Sequence, residues 1–434
     1  RPGSWGEVEA GRTFESEPIF NDHGRRQRSL GLLEGSSEVV LKVGVPWSYR
    51  DFLGHALKVE HPLLTSHTAS ADDCINAIFN ILVKGPEAIM KKRSDFIKKL
   101  EGWAIELKDA DDKIKAAMRP DVRAIMGRKS IALMKRLVDA FGYQDKFLIR
   151  DLTCGFKLIG VLDECGEYEA MPPDPPGTVD DLLNAAQWSQ MAVATHLRNL
   201  GEAREGAMEK CMEEVVEKGT LKGPYTREEI TTLVGPLWIP MPRFTIQQGE
   251  AVRAVDNGSI FGQNSTVGVP WKLTLGGVDE IAAVSAAWLK AIGKDGRVRL
   301  RLSNGVVLEG RLHPTWKLSA VKKLLGRLAD MKSAYRQLAG LPGHAFAAVI
   351  AAWNDEIGAP AYFLSRALLF GESAAVFGFN RVARFLNMVA CRGLDLVVSG
   401  YYDDFTQVET ELLSSSAEYS FKRLFEILGF DLSA

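Results

Sequence analysis

The stretch Val397-Val398-Ser399-Gly400-Tyr401-Tyr402-Asp403-Asp404-Phe405 brings an apolar run to two adjacent carboxylates at a tight turn, then resumes with an apolar residue. Burying an uncompensated carboxylate is costly, and two side by side repel each other. A bound cation makes such a pair tolerable. Mg²⁺ suits it, because this hard ion is typically held by one or two carboxylates together with substrate phosphates. A polar hairpin turn with two solvated aspartates would carry the same letters, so the rest of the chain has to decide between the two.

Upstream lies Leu328-Ala329-Asp330-Met331-Lys332-Ser333-Ala334-Tyr335-Arg336-Gln337-Leu338, where Asp330 ends a short apolar stretch. Between the two carboxylate sites, Leu368-Leu369-Phe370-Gly371-Glu372-Ser373 opens a helix of apolar and small residues that continues through Phe379-Asn380-Arg381-Val382-Ala383-Arg384. Further upstream stands Arg253-Ala254-Val255-Asp256.

In wording, order and approximate interval, these blocks resemble the fingers motif and motifs A, B and C of reverse transcriptases, over about residues 235 to 430. The phrases around Asn380 and after Asp404 are similar to reverse-transcriptase-like proteins of protist, dinoflagellate-type retroelements. The resemblance implies an α+β fold: a polymerase palm, an antiparallel sheet backed by helices, with fingers. It implies RNA-directed DNA polymerase activity, a nucleotidyl transfer onto a primer 3′-OH assisted by two Mg²⁺ ions (Mn²⁺ as the alternative). The partners implied are an RNA or DNA template with primer and deoxynucleoside triphosphates. Asp330, Asp403 and Asp404 would be the catalytic, metal-holding carboxylates. Arg253, Met331, Tyr335, Phe370 and Gly371 would meet the nucleotide: Arg253 gripping the triphosphate, Met331 through its carbonyl, Tyr335 as the gate that excludes a 2′-OH.

Two departures stand out. Leu369 occupies the place of the family's usual proline, which is expected to loosen the turn. Gln247-Gln248-Gly249-Glu250 lacks the lysine often found before the fingers arginine. The chain starts at Arg1 and stops soon after Gly429-Phe430, so a fragment is expected, without thumb, primer grip or RNase H region. Two other readings share the same residues. One is a catalytically inactive or domesticated copy serving as a nucleic-acid-binding module. The other is an RNA-dependent RNA polymerase, which an aromatic Tyr335 disfavours.

Composition bounds the rest. The 434 residues suffice for two or three domains, and 46% hydrophobic with 25% charged content is ordinary for a globular chain. The longest apolar run, Ala345 to Trp353, is too short to span a bilayer, so no membrane partner is expected. Five scattered cysteines without a Cys-x-x-Cys pair argue against a disulfide framework or a zinc site and for a reducing, intracellular compartment. Net charge is −2, yet residues 294–327 carry Lys294, Arg297, Arg299, Arg301, Arg311, Lys317, Lys322, Lys323 and Arg327 against only Asp295 and Glu309. Arg297, Arg299, Arg301, Lys322 and Lys323 are therefore candidate nucleic-acid contacts.

Along the chain, residues 1–45 lack sustained periodicity and are expected to be a disordered lead-in. Residues 46–170 read as a helical N-terminal domain, with helices from a cap at Ser70, from Glu87 to Leu107, and from Asp121 to Phe141. Residues 171–234 read as a proline-rich linker, one long helix from Val179 to Lys218, and a capping box at Thr226 and Glu229. Residues 235–434 hold the polymerase-like region. Within it, Ser303-Asn304-Gly305 signals a basic hairpin and Asn354 to Gly358 a second one. Helices are expected over Ser373–Cys391 and Ser415–Leu428, with Arg381 and Arg384 near template or facing solvent.

Overall fold

The computed structural model describes residues 3–8, 31–32, 39–46, 48, 50, 53–54, 71–249 and 251–433. They fall into two compact units, Arg1–Ser66 and His67–Ala434. In the first, β1 (Gly3–Val8) and β2 (Gly31–Leu32) both pair antiparallel with β3 (Val39–Pro46). Strands thus stand where the sequence led us to expect disorder; Val39, Leu41, Val43 and Val45 do alternate at the period of a strand. The remainder of that lead-in, and the expected cap at Ser70, lie outside the described residues.

The second unit is α+β. Its N-terminal half is helical: α1 (Asp72–Lys84), α2 (Pro86–Glu106), α3 (Lys108–Ala117), α4 (Pro120–Met126), α5 (Ile131–Phe141) and α6 (Leu148–Cys154). Pro86 opens α2 at a position where its missing N–H costs nothing, and Gly142 ends α5 in the left-handed conformation. The helix expected from Asp121 to Phe141 is two helices. The intervening residues turn out to meet the far end of the chain: the Ser130 N–H donates to the Leu428 carbonyl (3.1 Å), and Arg128 forks onto Asp431.

After β4 (Glu169–Ala170) come α7 (Val179–Asn184), α8 (Ala186–Arg198) and α9 (Ala207–Glu213), the last continuing as a π-helical turn, Glu214–Lys218. The single helix expected from Val179 to Lys218 is therefore broken, most sharply where Gly201 and Gly206 take positive φ of 58° and 73°. Next are β5 (Leu221–Tyr225), α10 (Arg227–Val234), β6 (Pro240–Gln248), β7 (Ala251–Asp256), β8 (Trp271–Lys272) and α11 (Val278–Lys290). The Thr226–Glu229 capping box forms as expected. Then follow β9 (Arg297–Arg301), β10 (Val307–Arg311), α12 (Leu318–Val321), β11 (Leu324–Asp330), β12 (Val349–Asn354), β13 (Ala359–Ser365), α13 (Ser373–Leu394), β14 (Val397–Tyr401), β15 (Asp404–Thr410) and α14 (Ser414–Leu428).

Two sheets organise this unit. A mixed five-stranded sheet runs β5-β13-β12-β6-β7, with β12 and β6 parallel and the other neighbours antiparallel. Its middle strand explains the longest apolar run: Ile350 and Ala352 join one hydrophobic core while Val349, Ala351 and Trp353 join a second, so both faces of β12 are covered. The second sheet is antiparallel, in the order β11-β15-β14. Helix α13 is buried almost all round, from Ala374 to Leu394, and contacts β14, α1, α2, α5 and α14.

Those contacts place the N-terminal helices in one core with the later strands, not in a domain separated near residue 170. Buried arginines mark the joins. Arg93 sits on the buried stripe of α2 between Ile89 and Ile97, and donates to the carbonyls of Leu394 (3.0 Å) and Asp395 (3.1 Å) and to Glu409 (2.5 Å). Arg381, expected near template or solvent, is buried and forks onto Asp145 (2.6 and 3.0 Å) while reaching Asp151 (2.6 Å). Among the described residues no helix is long and apolar enough to cross a membrane.

Candidate active site

Strand β11 ends at Asp330, whose register partner on β15 is Asp404. Directly opposed residues of an antiparallel pair lie on the same face of the sheet. Asp403 precedes Asp404 in the two-residue turn that joins β14 to β15, after Tyr401 has paired with Asp404. The three carboxylates that sequence separates are thus gathered at one end of one sheet. The Met331 N–H donates to the Asp403 carbonyl (3.0 Å), fixing the turn against the end of β11.

The backbone here is unusual. Among the described residues only Ser333, Asp395 and Tyr402 are non-glycine residues with positive φ. Two of them adjoin the carboxylates: Tyr402 (54°) precedes Asp403, and Ser333 (52°) follows Asp330 and starts the 3₁₀ turn that carries Tyr335. Backbone strain of this kind is held only where surrounding contacts over-determine it, and it gathers at working sites.

A cavity of about 570 Å³ opens beside the turn, and Asp330, Met331, Tyr335, Phe370, Asp403 and Arg253 all line it. Asp404 does not. Burial raises the Asp403 carboxyl above its ordinary value, the charges of Asp330 and Asp404 add to that, and Arg253 opposes it. One oxygen of Asp330 accepts from the Ser433 hydroxyl (2.5 Å), and its carbonyl accepts from the Ser433 N–H (2.8 Å). Tyr335 is buried against Phe370 and Phe379, with ring centroids 5.6 and 5.0 Å away. Burial, and then the nearby Asp403, push its phenol well above the usual range.

The Phe370–Gly371 turn is not loose. Leu369, lacking a proline ring, keeps an N–H that donates to Glu372 (3.2 Å), a contact proline could not make. Asn264 accepts from the Ser373 N–H (2.8 Å) and donates to the Gly371 carbonyl (2.9 Å). A side chain at Gly371 would place its Cβ 1.8 Å from the Asp256 carbonyl oxygen, and its φ is 120°. The expected loosening is therefore corrected: the turn is pinned on both sides.

A charge network that sequence reading missed runs from the cavity wall, which Glu214 and Arg336 help to line, into the interior. Arg243, fully buried, forks onto Asp256 (2.7 and 3.1 Å) and reaches Glu214 (3.0 Å); Arg336 bonds both carboxylates at 3.1 Å. Asp256, expected as part of a fingers motif, is thus an internal brace. Lys210 and Lys218 also line the cavity and were not anticipated.

The basic residues lie elsewhere. On β9, Val298 and Leu300 are buried while Arg297, Arg299 and Arg301 share the exposed face. The hairpin rests on α1: the Ser303 hydroxyl donates to Asp72 (2.6 Å) and the Trp316 indole N–H to the Ile81 carbonyl (2.9 Å). Arg297 is ion-paired with Asp295, Arg299 with Glu309 and Lys323 with Glu411, and Lys322 is exposed. None of these five lines the cavity.

Among the described residues no three His, Cys, Asp or Glu side chains close on a point where they could hold an ion unaided. Asp330 and Asp403 nevertheless present an all-oxygen, mutually repelling pair to an open cavity. That donor set fits Mg²⁺, which completes its shell with water and phosphate. Compared with known proteins, the chain matches no protein-family model and no curated protein.

Proposed function

We propose that residues 235–434 form the fingers and palm of an RNA-directed DNA polymerase, with β11-β15-β14 as the palm sheet. The observation that carries this reading is the register that sets Asp330 opposite Asp404, with Asp403 in the adjoining turn, beside a cavity also lined by Tyr335, Phe370 and Arg253. Asp330 and Asp403 would hold Mg²⁺, with Asp404 adding charge from the same face. When bound, such ions neutralise the charge that spreads over phosphate oxygens during nucleotidyl transfer.

The chain's own residues supply position. The 3₁₀ turn and the Phe370 and Phe379 rings hold Tyr335 at the cavity wall, where its volume would exclude a 2′-OH and favour deoxynucleotides. Arg253 offers a planar guanidinium to the triphosphate. The Leu369–Glu372 and Asn264 contacts keep the Phe370–Gly371 turn in place, with Phe370 at the cavity wall.

The test is primer extension on an RNA template with deoxynucleotides and Mg²⁺. The wild-type chain should extend, Asp403→Asn should not, and Tyr335→Ala should extend while admitting ribonucleotides. Extension by Asp403→Asn at the wild-type rate would overturn the reading. A folded, inert wild type that binds RNA would replace it with the binding-module alternative, to which the exposed arginine face of β9 would then belong.

A further inference from the structure

We propose that Lys210 and Lys218 form the polyphosphate-binding wall of this cavity. This rests on the polymerase reading only in naming the anion as a nucleotide's triphosphate.

The argument starts from helix geometry. In an α-helix, residues five apart do not share a face; neighbours are three or four apart. Here α9 passes into a π-helical turn, Glu214–Lys218, whose hydrogen bonds span five residues. Glu213 consequently bonds Lys210, three residues before it (2.9 Å), and Lys218, five residues after it (2.7 Å). Both ammonium groups are thereby gathered on one side, and both residues line the cavity. Hydrogen bonds from the two lysines hold the Glu213 carboxyl down to about 2, so it stays anionic and keeps its grip. π-Helical turns are rare and often sit at functional sites.

The remaining charges point to the ligand. Each ammonium has three donors and Glu213 takes one, leaving two on each lysine for an incoming acceptor. Arg253 adds a third cation to the lining. Arg336 adds a buried Nη1 that has no hydrogen-bond partner among the described residues, although its Nη2 is spent on Glu214 and Asp256. Asp330 and Asp403 contribute the opposite sign to the same lining, and its remaining carboxylate, Glu214, is already taken by Arg243 and Arg336. A compact anion with several charges, able to meet cations at one end and carboxylate-held metal at the other, is a linear polyphosphate. The lysine absent from Gln247-Gln248-Gly249-Glu250 is thus replaced from a different element of the fold.

The experiment titrates the purified chain with sodium tripolyphosphate by calorimetry, without divalent metal, so that binding is read independently of catalysis. Wild type should bind saturably, and Lys210→Gln/Lys218→Gln should bind at least about tenfold more weakly, since neither side chain can then offer a charge-assisted hydrogen bond. Lys210→Arg/Lys218→Arg should retain binding, and Lys108→Gln/Lys422→Gln, which changes two exposed, carboxylate-paired lysines outside the cavity lining, should match wild type. Circular dichroism of the glutamine pair should overlay wild type, both lysine side chains being partly exposed and neither lying in the core. Equal affinity in the glutamine pair, or no saturable binding by wild type, would overturn the proposal. An inert polymerase whose tripolyphosphate binding still depends on the two lysines would uphold the anion site while the polymerase reading fails. An extending enzyme whose KM for deoxynucleotide is unmoved in the glutamine pair would overturn the triphosphate assignment.

Discussion

Replacing Arg381 by methionine should be among the most destabilising single changes in residues 67–434. The guanidinium is 7% exposed, with Asp145 at 0% and Asp151 at 5%, and it makes three charge-assisted hydrogen bonds to them. Removing one partner of a buried ion pair costs about 3–5 kcal/mol, because the other charge is left uncompensated in the interior. Asp145 would be left without its two arginine bonds, keeping only the Phe147 N–H and the weak Cys165 thiol donor. Asp151 keeps Arg150 at 2.7 and 2.8 Å, so the deficit should approach one full pair rather than two, about 3–4 kcal/mol. Urea unfolding followed by tryptophan fluorescence reads this as a lower midpoint. The triple change Arg381→Met/Asp145→Asn/Asp151→Asn should regain most of the stability, because no unpaired charge remains. A single variant within about 1 kcal/mol of wild type, or a triple variant no better than the single, would refute the assignment of Arg381 as the brace between α13 and the N-terminal helices.

Two further outcomes are expected. Burial raises the Glu372 carboxyl to about 8, with Asp256 adding to it and the Leu369 N–H and Arg336 opposing. The fold then holds a proton that the unfolded chain releases near pH 4.3, so stability should fall as pH rises through that window, by at most about 1.4 kcal/mol per unit. Glu372→Gln should flatten this fall; parallel stability–pH curves for the two proteins would sink the idea. On the nucleic-acid side, Arg297→Gln/Arg299→Gln/Arg301→Gln should reduce the salt dependence of template binding by roughly 0.7–0.9 in log–log slope for each phosphate that is no longer neutralised. An unchanged slope in a filter-binding or anisotropy series would leave the β9–β10 face as a solvated surface.

What the sequence determined by itself was local. Asn304-Gly305 between alternating apolar residues specified the β9–β10 hairpin, Thr226 with Glu229 specified the start of α10, and Gly142 specified the end of α5. The order strand, hairpin, helix, hairpin, helix from Leu324 onward was legible for the same reason: periodicity and turn chemistry act within a few residues. The set Asp330, Tyr335, Phe370, Gly371, Asp403 and Asp404 could be named from its wording. Only the tertiary structure decided that Asp330 lies in register with Asp404 and that Asp330, Tyr335, Phe370 and Asp403 line one cavity with Arg253. It also reassigned charges whose letters carry no sign of burial. Arg381 read as a cation near template or facing solvent, yet it lies inside, as Arg93 does, because carboxylates and carbonyls from distant elements meet them there. Lys218 joined Lys210 at the cavity through a π-helical turn that no amphipathic pattern announces. Burial of a charge depends on partners that only folding brings together, so it is decided by packing and not by local sequence.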